Sequence, residues 1–264
     1  MSILDEIVRV KKEGLKARQR EVPASELFGR IRGLQPCKSF GQALREPEDI
    51  AIIAEIKKAS PSAGMIREDF DPKAIALSYT EHGAAAISVL TEENFFQGDI
   101  EYLLGAHTWV DKPLLRKDFL IDPYQIVEAR AFGADAVLLI MAALSKTQCR
   151  ELCVAARECG MEFLLEVHHV RELEFALGED YDLVGINNRD LDSFVVDLTT
   201  TEKLAGICAG NVTIVSESGI KTHQDIERLS HAGISAVLVG ETLMRTEDIG
   251  GALQGLTGVP KCHV

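Results

Sequence analysis

Residues 51–57, AIIAEIK, give the strongest indication of this chain's fold class. The first four residues are apolar, and Glu55 and Lys57 then flank Ile56 at the end of the run. A strand this apolar needs cover on both faces, which is typical of a parallel sheet. Period-two alternation places Glu55 and Lys57 on one face and Ile56 on the other. We therefore predict a buried parallel strand whose carboxyl end carries two charged side chains.

Similar apolar runs recur along the chain, separated by segments with helical hydrophobic spacing. Predicted strands cover residues 51–56, 85–90, 113–116, 136–141, 162–167, 183–186, 212–215 and 236–239. Predicted helices include residues 71–82, 123–132, 146–159 and 222–231. About eight strand–helix units without a long linker predict an α/β fold, a closed (β/α)8 TIM barrel. A doubly wound open sheet is the alternative, but its GxGxxG phosphate motif does not follow the first strand.

The first 45 residues differ from this pattern. Ile3, Ile7 and Leu15 lie at helical spacing among lysines and arginines, which predicts an amphipathic helix that ends at Val22-Pro23. Leu27 and the apolar residues after it indicate another short helix. We predict an N-terminal helical extension over 1–45, a single barrel domain over 46–258 and a C-terminal tail over 259–264. Binding of the first helix to a membrane surface is the weaker alternative.

Composition limits the function classes. The chain has 264 residues, and its 41 acidic against 28 basic side chains give a net charge of −13. This charge argues against binding to nucleic acid or anionic membranes, but a few local cations could still hold a small anion. The longest apolar run, 136–144, is shorter than the roughly 20 residues of a membrane span. Six cysteines without a CxxC pair and early charges favour reduced thiols, no signal peptide and a cytoplasmic location.

Charged and polar residues close several of the apolar runs. The third run continues into Lys117 and Phe119, the fifth ends at Glu166, and the sixth continues into Asn187 and Arg189. In a barrel the carboxyl ends of the strands meet at one mouth, where active sites form. Each residue alone could serve as an ion pair between strand and loop. Together they predict an active site.

The last two strands carry a different signal. Gly219 and Gly240 follow them, and glycines there let backbone amides approach an anion closely, which predicts a phosphate site. Plain turn glycines are the alternative. Phe95-Phe96 forms either a satellite core or the wall of an aromatic-ligand site. His168-His169 could suggest a metal, but no matching ligand spacing supports this, and a loop or capping role is favoured.

With these residues identified, the sequence resembles the indole-3-glycerol phosphate synthase family of tryptophan biosynthesis from Phe40 to about Arg245. The motifs that carry the resemblance are IAEIKKASPS at 53–62, FFQG at 95–98, LRKDF at 115–119, LEV at 165–167, GINNRDL at 185–191 and SESGI at 216–220. The family implies a carboxy-lyase that closes 1-(2-carboxyphenylamino)-1-deoxyribulose 5-phosphate to indole-3-glycerol phosphate with loss of CO2 and water. It implies no cofactor and no metal, with a small phosphosugar as the molecule that binds. We also expect a monomer or weak homo-oligomer.

The resemblance also implies residue roles. Lys117 would be the general acid, Glu166 the base, and Lys57 a second acid or the group that holds the substrate carboxylate. Glu55 would position Lys57. The remaining implied site residues are Asn187 and Ser218 for orientation, Ser60 and Arg189 for anionic groups, Phe96, Phe119, Leu191 and Leu238 for the aromatic ring, and the backbone of Gly219, Gly240 and Glu241 for phosphate.

Proton exchange near pH 7 requires shifted pKa values. We expect two lysines in one pocket to lower a lysine pKa, and burial to raise the pKa of Glu166. Ala63, where relatives often have lysine, removes a cation and affects affinity, and Glu241 brings a negative charge beside the predicted phosphate site. The alternatives to the lyase are another phosphosugar barrel enzyme, such as a ketol isomerase, and an inactive phosphosugar-binding barrel.

Overall fold

The structure is a computed structural model that describes residues 2–191, 193–208 and 212–262. Eight parallel strands of this part of the chain pair in sequence order, and the first also pairs with the last. The barrel strands are β1 (Ala51–Ile56), β2 (Ala86–Leu90), β3 (Leu114–Lys117), β4 (Ala136–Ile140), β5 (Glu162–Val167), β6 (Leu183–Asn187), β7 (Thr213–Glu217) and β8 (Ala236–Val239). This closure excludes the open sheet and confirms the predicted TIM barrel.

Helices alternate with the strands around the barrel. Those in the described ranges are α1 (Ile3–Glu21), α2 (Ala24–Ile31), α3 (Phe40–Arg45), α4 (Pro72–Glu81), α5 (Ile100–Trp109), α6 (Pro123–Ala131), α7 (Lys146–Glu158), α8 (Val170–Gly178), α9 (Thr199–Ala205), α10 (His223–Ser230), α11 (Glu241–Met244) and α12 (Ile249–Gln254). A short hairpin pairs Ala59–Ser60 with Gly64–Met65 in the loop after β1.

Local sequence signals explain where several helices begin and end. The Asp71 side chain accepts hydrogen bonds from two first-turn amides of α4, and Asp122 accepts one from the first turn of α6. Proline follows each aspartate, where the missing N–H costs no helical hydrogen bond. Gly83 and Gly133 follow these helices with φ of +97° and +88°, a conformation that favours glycine. These predicted boundaries are confirmed.

The strand ends differ from prediction by one or two residues. The difference matters most in β7, which was predicted over 212–215 and extends to Glu217. Ser216 and Glu217 are polar residues and favour a loop in the sequence, but both side chains are buried in the strand. Glu217 shares the face of Val215, which points into the barrel. The extension therefore brings one more carboxylate to the barrel mouth.

The apolar core forms two layers. One lies between strands and helices, and the other fills the barrel interior with inward side chains such as Ile53, Leu115 and Leu164. Phe40 and Leu44 of α3 are fully buried in that interior cluster. Because α3 packs against β1, β2 and β7, it closes the amino-terminal end of the barrel. The carboxyl end stays open.

The N-terminal helices pack against elements of the barrel. Helix α1 begins with a capping box between Ser2 and Asp5 and ends just before Val22-Pro23, and α2 packs against α6. The domain division at residues 45 and 258 stays a prediction, and residues 263 and 264 of the predicted tail lie outside the described residues. In the described part of the chain, no helix combines the length and apolar character needed to cross a bilayer.

Candidate active site

A pocket of about 900 Å³ opens at the carboxyl ends of the barrel strands. All fifteen side chains or glycines predicted for the site line it, although their roles stay predictions. They are Glu55, Lys57, Ser60, Phe96, Lys117, Phe119, Glu166, Asn187, Arg189, Leu191, Ser218, Gly219, Leu238, Gly240 and Glu241. The convergence follows from the fold, since parallel strands of a closed barrel end at one mouth.

The centre of the pocket holds two lysines among three carboxylates. Lys117 Nζ lies 2.6 Å from Glu217 Oε2 and 3.5 Å from Glu166 Oε2. Lys57 Nζ lies 2.5 Å from Glu55 Oε2, which fits the predicted positioning of Lys57 by Glu55. The three carboxylates are nearly fully buried. The pocket therefore holds ammonium groups that can donate protons beside carboxylates that can accept them.

Both predicted pKa directions are wrong. Burial acts to lower the pKa of Lys117, but the negative charges of Glu217, Glu166 and Glu55 outweigh it and raise this pKa above its ordinary value. Burial acts to raise the pKa of Glu166, but Lys117 and His168 outweigh it and lower this pKa to about 2. The two lysines share the centre of the pocket with three carboxylates, and the negative charges of these carboxylates dominate at Lys117. At neutral pH, Lys117 is a cation and Glu166 a carboxylate.

Glu217 is a pocket carboxylate whose pKa lies near neutral pH. Burial and the charges of Glu166 and Glu55 raise its pKa to about 7, although Lys117 opposes the rise. Its Oε1 atom is buried without a hydrogen-bond partner and packs where a side chain on Gly185 would otherwise lie. Glu217 lies in the SESGI motif, but the sequence alone predicts no role for it. The signal in the sequence is the period-two alternation of β7, which, continued for two residues, places Glu217 on the inward face with Val215.

This shifted pKa predicts a pH-dependent stability difference for Glu217→Gln. Between its ordinary pKa of 4.5 and about 7, Glu217 binds a proton in the folded protein that the unfolded chain releases. The free energy of unfolding contributed by Glu217 therefore falls as pH rises through this window. Glutamine removes the effect, so the variant should gain about 2 kcal/mol relative to wild type between pH 5 and pH 8.

Urea unfolding of both proteins at pH 5 and pH 8 measures this gain. Glu13→Gln, at a side chain that is 64% exposed on α1, is the matched control and should change the free energy of unfolding by less than about 0.5 kcal/mol. An equal Glu217→Gln effect at both pH values would contradict the raised pKa.

Two side chains support the Glu166 carboxylate. Asn187 Nδ2 donates a hydrogen bond of 3.1 Å to Glu166 Oε1, and His168 Nε2 lies 3.2 Å from the same oxygen. Burial acts to lower the pKa of His168, but Glu166 and Glu172 outweigh it and raise this pKa to about 10. The loop or capping interpretation of His168 missed this contact. His169 does stand at the N-cap position of α8, without a side-chain capping bond.

One side of the pocket is an aromatic wall. The rings of Phe96 and Phe119 lie 6.1 Å apart between centroids, and Leu191 and Leu238 line the same pocket. Of the two interpretations of Phe95-Phe96, the structure favours the wall for Phe96. Such a surface suits a planar aryl group.

The opposite side combines glycines with arginines. Gly219 has φ +86°, and a side chain on Gly240 would overlap the Glu55 carboxylate. Glu241 Oε1 accepts from Arg245 at 2.9 and 3.0 Å, and its Oε2 lies 3.6 Å from Arg189 Nη2. Burial opposes the shift, but Arg245, Lys57 and Arg189 lower the pKa of Glu241. The Glu241 carboxylate thus lies between Arg189 and Arg245, two side chains that could otherwise bind an anion.

The chain matches a protein family over most of its length. The family described as indole-3-glycerol phosphate synthase matches residues 4–256. The chain belongs to the indole-3-glycerol phosphate synthase family. Its relatives in this family include the enzyme of Rhodopirellula baltica, 47% identical over 97% of this chain and 99% of the relative, and that of Acetivibrio thermocellus, 48% identical over 94% and 96%.

Solved structures of other proteins share the fold of this member of the indole-3-glycerol phosphate synthase family. A chain of the tryptophan synthase α2β2 complex from Pyrococcus furiosus has a TM-score of 0.58 and 15% identity, covering 79% of this chain and 98% of that one. A thiamine phosphate pyrophosphorylase from the same organism has a TM-score of 0.58 and 17% identity, covering 83% and 96%. Across the described residues, no three His, Cys, Asp or Glu side chains form a group suited to a metal ion.

Proposed function

We propose that this chain catalyses the ring closure, decarboxylation and dehydration that convert 1-(2-carboxyphenylamino)-1-deoxyribulose 5-phosphate into indole-3-glycerol phosphate. The observation that carries the proposal is the 3.5 Å pair of Lys117 Nζ and Glu166 Oε2, a cation and a carboxylate held between an aromatic wall and a glycine-rich, arginine-bearing side of one pocket. Family membership supports the same reaction.

Ring closure needs an acid at the ketone. The ring carbon that bears the carboxylate forms a bond to the ketone carbon, and negative charge develops on the ketone oxygen. Lys117, kept protonated by its surrounding carboxylates, donates its proton to that oxygen. A raised pKa means that the proton leaves only as the oxygen becomes basic, so transfer accompanies bond formation. Loss of CO2 then returns the electron pair to the ring.

Dehydration needs an acid and a base. The hydroxyl formed in the first step leaves as water after protonation. We assign this protonation to Lys57, which lines the pocket and lies 2.5 Å from Glu55 Oε2. Glu166, ionised because of its low pKa, takes the proton whose loss completes the double bond of the indole. Asn187 donates a hydrogen bond that orients the Glu166 carboxylate, and His168 places a positive charge beside it. Glu217 can return a proton to Lys117 through their 2.6 Å contact.

Substrate orientation follows from the two sides of the pocket. We assign the aryl ring to Phe96, Phe119, Leu191 and Leu238, and the phosphate to the backbone of Gly219, Gly240 and Glu241. The remaining assignments are Arg189 and Ser60 to anionic groups and Ser218 to the leaving hydroxyl. Ala63 also lines the pocket, and its amide donates to Ser60 Oγ at 3.2 Å, so this loop contributes backbone but no cation at residue 63.

Incubation with the substrate tests the proposal. Appearance of indole fluorescence together with one equivalent of CO2 is the expected result. An isomerised open-chain product without CO2 would point to the ketol isomerase, whose single proton shuttle needs no second lysine. Tight binding of the substrate without turnover would point to the inactive phosphosugar-binding barrel. Either outcome would overturn the proposal.

Glu241→Gln should bind substrate more tightly than wild type. The Glu241 carboxylate repels an incoming phosphate and occupies Arg189 and Arg245. Removing one charge near a partly exposed anion site should lower KM about three- to tenfold at low ionic strength, with less effect in high salt. Steady-state KM measured at two salt concentrations checks this, with the exposed Glu247→Gln as control. A higher KM for Glu241→Gln would show that its ion pairs support the site.

We further propose a cytoplasmic location and a monomer or weak homo-oligomer. The six cysteines are free, which suits a reducing compartment. Sedimentation of the purified protein across a range of concentrations tests the oligomeric part.

A further inference from the structure

One cation of the N-terminal helix reaches two buried carboxylates below the pocket wall. Lys11 Nζ on α1 lies 2.7 Å from Asp118 Oδ1 and 3.7 Å from Glu92 Oε1. The Lys11 side chain is 16% exposed, whereas those of Asp118 and Glu92 are 1% and 0% exposed. Burial of two carboxylates this completely requires opposite charge and hydrogen-bond donors.

Glu92 holds the loop that carries Phe96. Its carboxylate accepts from the amides of Asn94 at 3.2 Å, Phe95 at 2.6 Å and Phe96 at 3.2 Å. Its backbone carbonyl accepts from the Gly98 amide at 2.7 Å. One residue thus fixes almost every amide of the turn, and the position of the Phe96 ring depends on the Glu92 side chain.

Asp118 holds the second ring of the wall. Its Oδ1, the atom bound by Lys11, accepts from the Phe119 amide at 2.8 Å. Its Oδ2 accepts from Thr91 Oγ1 at 2.7 Å and lies 3.2 Å from Arg116 Nη2. Asp118 therefore keeps a second cation if Lys11 is removed. In the described part of the chain, the Lys11 ammonium is the only cationic group within 4 Å of the Glu92 carboxylate.

We propose that Lys11 is a positioning residue for the aromatic ring of the substrate, an inference that rests on the proposed function. Its ammonium neutralises Glu92 and Asp118 together, and these carboxylates anchor the amides of Phe96 and Phe119, whose rings lie 6.1 Å apart in the wall. Without Lys11, the Glu92 carboxylate becomes an unpaired buried charge. An unpaired charge is costly in this buried position, so the side chain turns toward water and its hydrogen bonds to the loop amides weaken.

Lys11→Met should weaken aryl binding selectively. We expect the substrate KM and the Ki of anthranilate, a probe of the ring alone, to rise about tenfold. The Ki of inorganic phosphate and kcat should change less than about threefold, because the contacts at the other side of the pocket remain. Lys11→Arg should restore most of the affinity. Lys16→Met, at an exposed lysine on the same helix, is the control and should behave as wild type.

Hydrogen exchange without substrate supplies a readout independent of turnover. The amides of residues 94–98 and Phe119 should exchange faster in Lys11→Met than in wild type or Lys16→Met. Unchanged exchange there, or a fall in kcat with KM unaltered, would overturn the proposal. So would fast exchange along all of α1, because the helix would then have detached as a whole. A wild-type protein that does not convert the substrate would refute the proposed function instead, while the exchange result would still test the role of Lys11.

Discussion

Lys117→Met should lower kcat by about 10²–10⁴-fold, since it removes the general acid of ring closure. Lys117 is the group in the pocket that touches both Glu166, at 3.5 Å, and Glu217, at 2.6 Å. Methionine keeps much of the side-chain volume but cannot stabilise the developing charge on the ketone oxygen. Single-turnover rates of CO2 release measure the loss, because they exclude product release.

Lys73→Met is the matched control for this variant, because Lys73 lies exposed on α4, away from the pocket. It should leave both kcat and KM unchanged. The loss of Lys117 also removes the positive charge that lowers the pKa of Glu166 and Glu217, so the pH profile of the residual activity should shift upward. Turnover of Lys117→Met at the wild-type rate would contradict the assigned role.

The barrel and the location of its pocket were predictable from the sequence because both depend on local patterns. The apolar run that ends in Glu55 and Lys57 specifies a strand covered on both faces and shows which side chains point inward. Repetition of that pattern predicts closure, and closure gathers the strand ends. Glu166 and Asn187 could thus be assigned to the site before their mutual hydrogen bond was known.

The electrostatics could not be predicted in the same way. The sign of a pKa shift depends on the number of opposite charges around a group. The apolar pattern of β7 stops at Val215, so it leaves out Glu217, which the strand includes. Without that carboxylate, the sequence predicts a second lysine beside Lys117 and misses part of the negative charge that surrounds it. The contact of Lys11 with Glu92 and Asp118 joins residues more than 80 positions apart. Helical periodicity shows that α1 is amphipathic, but it does not show where the helix docks.

Glu166→Gln should reduce kcat by about 10²–10⁴-fold while KM stays within about threefold of wild type. With a pKa near 2, Glu166 is fully ionised at neutral pH, so the wild-type enzyme needs no prior deprotonation to supply a base. Glutamine is nearly isosteric, and its carbonyl can still accept the 3.1 Å hydrogen bond from Asn187. It cannot accept the proton released in dehydration. Decarboxylation can still proceed in the variant, so CO2 release should precede indole formation, and the two signals separate in time.

A control must separate loss of the base from the change that Glu166→Gln causes in His168. Both Glu166 and Glu172 raise the pKa of His168, but Glu172 does not line the pocket. Glu172→Gln therefore lowers the pKa of His168 without removing the base, and we expect it to retain kcat within about fivefold of wild type. If the two variants lost activity equally, the charge of His168 rather than the basicity of Glu166 would limit turnover. A large loss in Glu166→Gln alone would assign the proton acceptor to Glu166.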